Sequence, residues 1–165
     1  MNDRERRRLA LEGKGLTSVP ESVGAQPDLD ELSLWRNQLT SLPESLWEMR
    51  SLRVLNLSEN RLSSLSEKIA RLSRLEMLDI GHNELTTLPE SRGSLPLRTF
   101  LYLSHNRLTS VPDSIGNLRG LGYLNITDNR LTVLPDRIGD LERLSELRLY
   151  GNVQGRAQDG CTVYF

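Results

Sequence analysis

The sequence predicts an α/β solenoid of about seven coils, each a short strand followed by a short helical or 3₁₀ return. Three observations carry that prediction. Asparagine recurs at Asn37, Asn60, Asn83, Asn106, Asn129 and Asn152, always 23 residues apart. One frame surrounds every copy, clearest as Leu32-x-Leu34-x-x-Asn37-x-Leu39-x-x-Leu42-Pro43. Leucine also fills 33 of the 165 positions. A fixed period of this length is the signature of a stacked-repeat architecture.

Each part of the frame has a physical reason. Leu-x-Leu has period two, so both leucines turn to one face of a short strand while the residue between them turns away. One coil cannot bury its own leucines, and stacking closes each leucine row against the next. The asparagine stands where the chain leaves the strand, and its amide can both donate to and accept from backbone groups stranded in that bend. Leu39, Leu42 and their equivalents continue into the core. The segments 43–49 and 112–118 then read as short helical or 3₁₀ turns on the outer side. Proline opens them with its φ preset and no amide hydrogen to satisfy.

An earlier copy of the frame begins at Leu9, with Lys14 in the asparagine position, as befits a terminal coil. Ser66 replaces the proline of the third coil. In the fourth outer segment, Arg92 falls where Leu46, Ile69, Ile115 and Ile138 stand, and Arg98 where Leu52, Leu75, Leu121 and Leu144 stand. An unpaired guanidinium is costly to bury. Both arginines are therefore expected to swing outward, with Leu97 filling part of the gap and the coil locally irregular. After Asn152 the frame stops. The organisation expected is a solenoid over residues 1–152, with 1–8 as an N-terminal cap, and a non-repeat tail over 153–165. Asp3 to Leu11 is expected to form a short arginine-rich helical lid. Val163, Tyr164 and Phe165 are expected either to fold back over the exposed end or to leave it open for a second copy, so the chain is a monomer or a weak dimer.

The frame resembles the leucine-rich repeat family over residues 9–152. It is closest to the 23-residue class with a Leu-Pro-x-x-Ile-Gly-x-Leu outer segment, found in intracellular Ras-suppressor-like proteins and in many bacterial repeat proteins. The resemblance implies a right-handed solenoid whose parallel sheet lines a concave, protein-docking face, with short helical or 3₁₀ segments on the convex face. It also brings in a small GTPase as one class of partner. Extracellular members usually carry cysteine-clustered caps. None is present here, which points to a reducing, cytoplasmic setting.

Composition narrows the functions. With 21 basic and 22 acidic residues the net charge is −1, which argues against electrostatic capture of nucleic acid or an anionic membrane. The apolar runs are too short to span a bilayer, and no apolar stretch follows the charged N-terminus to make a secretory signal. Cys161 is alone, so neither an intrachain disulfide nor a cysteine-built zinc site is available, and no cofactor is expected. There is no phosphate-binding glycine loop and no nucleophile elbow, and an open curved surface lacks the enclosed cavity that catalysis favours. The expected role is therefore non-enzymatic. Arginine outnumbers lysine 19 to 2, a hint of a GC-rich, bacterial genome.

The period sorts outward side chains into columns. Before the first leucine lie Arg8, Glu31, Val54, Met77, Phe100, Tyr123 and Glu146, and between the leucines lie Ala10, Ser33, Asn56, Asp79, Tyr102, Asn125 and Arg148. Val54, Met77, Phe100 and Tyr123 make an unbroken apolar row on a face open to water, with Tyr102 beside it. Such a patch is a liability unless a partner covers it, and aromatic residues and methionine are enriched in interface cores. Met77, Phe100, Tyr102 and Tyr123 are the expected centre of a protein-binding site. Trp35, Arg36, Asp79, His82, His105 and Asp128 are the expected surrounding contacts. His82 and His105 share a column on adjacent coils. Asp79 or Asp128 could complete a metal set, but the pair reads as exposed polar contacts. Three readings stay open: an intracellular scaffold that holds a protein partner, a bacterial effector-type module acting in a host cell, and a truncated or engineered repeat scaffold without a dedicated partner.

Overall fold

The computed structural model describes residues 7–90 and 95–152, and the backbone of Val163 and Tyr164. The strands are β1 (Arg8–Ala10), β2 (Glu31–Ser33), β3 (Val54–Asn56), β4 (Met77–Asp79), β5 (Phe100–Tyr102), β6 (Tyr123–Asn125), β7 (Glu146–Arg148) and β8 (Val163–Tyr164). All pair in parallel, in chain order, to make one sheet. From β1 to β7 each pairing joins residues 23 apart, as in Leu32↔Leu55 and Leu55↔Leu78. The sequence period is the sheet register.

The central leucine of each strand turns inward: Leu32, Leu55, Leu78, Leu101, Leu124 and Leu147 are all buried. The second frame position follows them, with Leu34, Leu57, Ile80, Leu103 and Ile126 essentially inaccessible to water. These rows stack into one core, closed on the far side by Leu46, Ile69, Ile115 and Ile138 from the outer turns. Those turns are a short α-turn over Glu21–Gly24 and 3₁₀ turns over Glu44–Glu48, Glu67–Arg71, Asp113–Asn117 and Asp136–Asp140. Pro43, Pro112 and Pro135 precede the 3₁₀ turns with φ of −73°, −69° and −66°. Ser66, in the same place, accepts a hydrogen bond from the Lys68 amide.

The bend after each strand is held by the recurrent asparagine. Asn83 Oδ1 accepts from the Leu62 amide of the coil before (2.9 Å), while its Nδ2 donates to Leu57 O of that coil and to Ile80 O of its own. The same set repeats at Asn37, Asn60, Asn106, Asn129 and Asn152. All but the half-buried Asn152 are buried. The residue just before each asparagine is left-handed: Arg36, Glu59, His82, His105 and Asp128 have φ between 51° and 57°. Gly13 and Gly151 hold that place in the first and last coils.

Coil four is the irregular one. Among its described residues there is no helical turn, Leu97 is buried and Arg98 is exposed, while Arg92 lies outside the described residues. An apolar cavity of about 60 Å³ opens there, lined by Ile69, Leu88, Leu95, Leu97, Ile115 and Leu118 among others. The helical lid expected over Asp3 to Leu11 is not what residues 8–10 form. They are strand β1, because Leu9-x-Leu11 is itself a copy of the frame and the Leu11 amide donates to Ser33 O at 2.8 Å. Residues 1–6 lie outside the described part. At the other end, the backbone of Val163 and Tyr164 pairs with Leu147 and Arg148 and extends the sheet by one strand. Phe165 is outside the described residues.

Two stability measurements follow. Asn83→Ala strands the Leu62 amide in the core, while the Leu57 carbonyl keeps its bond from Asn60, and should lower the unfolding free energy by about 1–3 kcal/mol in urea titrations. Glu59→Val, forced into a left-handed conformation, should be less stable than Glu59→Gly by about 1–2 kcal/mol in the same assay.

Candidate functional site

The sheet register assembles the apolar row. Met77, Phe100 and Tyr123 are successive partners on β4, β5 and β6, and Asp79, Tyr102 and Asn125 form the parallel row one pleat along. The three rings contact one another. Phe100 and Tyr102 stack with centroids 5.8 Å apart, Phe100 meets Tyr123 edge-on at 5.6 Å, and Tyr102 and Tyr123 lie 5.1 Å apart. Ring pairs in these geometries contribute about 0.5–1.5 kcal/mol beyond area burial. The cluster still faces water: Phe100 is 39% exposed, and Met77, Tyr102 and Tyr123 are half-buried. Burial pushes both phenols above their ordinary value, so they stay neutral donors at physiological pH.

Two charged groups border the rings. The Arg148 guanidinium lies over the Tyr123 ring at 5.5 Å, and its Nε donates to Glu146 at 2.6 Å. Arg148 is missing from the expected site, although its column placed it one coil beyond Asn125 and so diagonal to Tyr123. On the other side stands Asp79, whose Oδ1 accepts from the Gly81 amide at 3.0 Å. Asn56 and Asn125 make the same two-residue turn, accepting from the amides of Ser58 (2.9 Å) and Thr127 (3.0 Å). Burial is the largest influence on the Asp79 carboxyl and pushes it above 3.8, offset in part by the Gly81 hydrogen bond, by Ser58 and by nearby His82.

The left-handed residues form a second row. The His82 and His105 rings stack at 4.0 Å with 21° between their planes, and His105 Nε2 lies 3.3 Å from Asp128 Oδ2. Among the described residues no group of three or more His, Cys, Asp or Glu side chains is placed to hold a metal ion. Trp35 and Arg36 are exposed on coil two, two coils from Met77, and are not brought together with the rings.

The raised Asp79 carboxyl carries a sign. A group whose folded-state pKa lies above its unfolded value binds its proton more tightly when folded, so its ionisation costs stability above that pKa. Asp79→Asn keeps the turn and removes the charge. It should therefore match or exceed the parent in melting temperature at pH 7, with any gain vanishing once the pH falls below the ordinary carboxylate range.

Comparison with known proteins fits this geometry. The leucine rich repeat family model matches residues 7–62, 27–85, 50–108 and 99–153, together nearly the whole chain. The leucine-rich repeat domain of the type III effector XopL is similar, with a TM-score of 0.81 and 30% identity, over 90% of this chain and 53% of that one. A leucine-rich repeat protein of Leptospira interrogans gives a TM-score of 0.66 and 31% identity over 88% of this chain and 43% of its own. An internalin (InlF) from Listeria monocytogenes gives 0.71 and 25% over 82% and 39%. The chain spans about half the length of these structures or less. No curated protein matches it. No helix among the described residues is long and apolar enough to cross a membrane. Repeats of this kind typically serve protein–protein interaction and are typically not enzymes. Register, core and family model agree, and the chain belongs to the leucine-rich repeat family.

Proposed function

We propose that the chain is a protein–protein interaction scaffold that grips its partner on the concave sheet, centred on Met77, Phe100, Tyr102 and Tyr123. The observation that supports this reading is the ring cluster: three mutually packed aromatic side chains kept on the water-facing side of a sheet whose opposite face already supplies the core. Asp79, His82, His105 and Asp128 border the centre, and Trp35 and Arg36 serve as outlying contacts for a longer partner. Seven strands about 4.8 Å apart give an arc on the order of 30 Å, enough for one helix or the edge of a small domain. In this reading residues 1–152 are the binding solenoid and the 153–165 tail serves its end. The setting is cytoplasmic, and a small GTPase is one partner class to test directly.

A second reading rests on the likeness to the repeat domain of a type III effector: a bacterial module that uses the same concave face on a host protein. Both readings use one surface and differ in whose proteins supply the partner.

Phe100→Ser combined with Tyr123→Ser should abolish partner capture in a cross-linking pull-down while leaving the far-ultraviolet circular dichroism unchanged. Capture that survives the double substitution would place the site elsewhere.

A further inference from the structure

Asp79 is more expensive than the fold requires. Its turn-forming hydrogen bond to the Gly81 amide is made equally well by uncharged Asn56 in coil three and Asn125 in coil six. A carboxylate there adds a desolvation cost that an asparagine would avoid. Among the described residues no lysine or arginine pairs with it, and the ionisable neighbour acting on it is His82. At the outward positions of β3 to β6 there is no lysine or arginine, and Arg148 on β7 is already held by Glu146.

What lies next to the charge is aromatic. Tyr102 is the register partner of Asp79 on the neighbouring strand, and Phe100 stacks on Tyr102. A carboxylate beside ring faces suits a planar cation, which can accept the ion pair and lie against a π-face at once. The protein makes that arrangement once for itself: Arg148 lies over Tyr123 and is tethered by Glu146. On the Asp79–Tyr102 side of the same cluster the anion and the rings stand together, with no lysine or arginine among the described residues paired to Asp79.

We propose that the partner protein delivers an arginine side chain to this side of the cluster, its guanidinium paired with the Asp79 carboxylate and lying against the Tyr102 and Phe100 rings. This rests on the concave-face reading above. Lysine would satisfy the charge and not the planar contact, and a metal ion would find a single carboxylate with too few further ligands among the described residues.

The test is a selection of phage-displayed random peptides on the full chain, counter-selected against the Phe100→Ser/Tyr123→Ser protein. A recovered peptide is titrated calorimetrically against the parent and Asp79→Asn, with its arginine intact or replaced by neutral citrulline or by lysine. Thermal unfolding of Asp79→Asn confirms that the fold is kept, and Tyr102→Leu provides a second variant. The proposal expects recovered peptides to share an arginine and citrulline to weaken binding about tenfold or more. Lysine should fall in between, Asp79→Asn should cause a similar loss, and the combination with citrulline should cost little beyond either change alone. Peptides that the counter-selected protein binds less well, but that lack arginine or are indifferent to Asp79→Asn, overturn the arginine assignment and leave the concave site standing. A selection that returns only peptides bound equally by the doubly substituted protein overturns both.

Discussion

A coil that reverses direction within 23 residues buries backbone groups at its corner, and the asparagine amide is what satisfies them. Each amide reaches into two coils: its oxygen takes an N–H of the coil before, and its nitrogen gives one hydrogen to that coil and another to its own. Net contributions of about 1 kcal/mol per hydrogen bond understate the effect, since an unpaired buried group costs more than a made bond gains. Because every bond is local or reaches one coil back, cohesion passes from neighbour to neighbour along the stack. That explains how coil four keeps its place in the sheet with an exposed Arg98 and an adjoining cavity: its Asn83 and Asn106 contacts are intact.

With the corner held by the asparagine and the core filled by leucine, the outward positions are free of most folding duty. At two kinds of position the chain nevertheless carries a residue costlier than the backbone needs. Coils one and seven put glycine in the left-handed place before the asparagine position, while coils two to six put Arg36, Glu59, His82, His105 and Asp128 there. A side chain in that conformation costs about 1–2 kcal/mol over glycine. Asp79 is the other case, charged where asparagine makes the same turn. Asp79, His82, His105 and Asp128 stand on the same coils, four to six, as the aromatic cluster, while Arg36 and Glu59 stand on coils two and three.

The register, the leucine rows and the columns were legible in the sequence because a strict period converts position into geometry, and so the neighbours of Phe100 could be named in advance. The left-handed backbone at His82 and its equivalents was not legible, because no side chain there announces its φ; only Gly13 and Gly151 at the ends hinted at it. The double use of Asp79, as turn former and surface charge, was hidden until Asn56 and Asn125 were seen making the same bond. Arg148 was missed because cation–ring contact depends on the side chain's reach across a diagonal, which a column diagram does not draw. Arg8 misled in the opposite way: a run of charges suggested a helical lid, yet Leu9 and Leu11 had already committed it to a strand.

A cluster of rings on a sheet differs from one on a loop in how little it must reorganise to bind. Met77, Phe100 and Tyr123 stand on three paired strands whose intervening leucines, Leu78, Leu101 and Leu124, are locked in the core. The coil-four cavity lies against the opposite, inward side of that sheet, with Leu78 and Leu101 in its wall, so slack there is separated from the rings by a hydrogen-bonded layer. Ordering interface side chains on association costs about 0.5–1.5 kcal/mol for each flexible one immobilised. Rings that already pack against one another, on a backbone fixed from both neighbours, have largely met that cost during folding. In the proposed reading, specificity then falls to the polar groups around the rings: the charge of Asp79 and the stacked histidines.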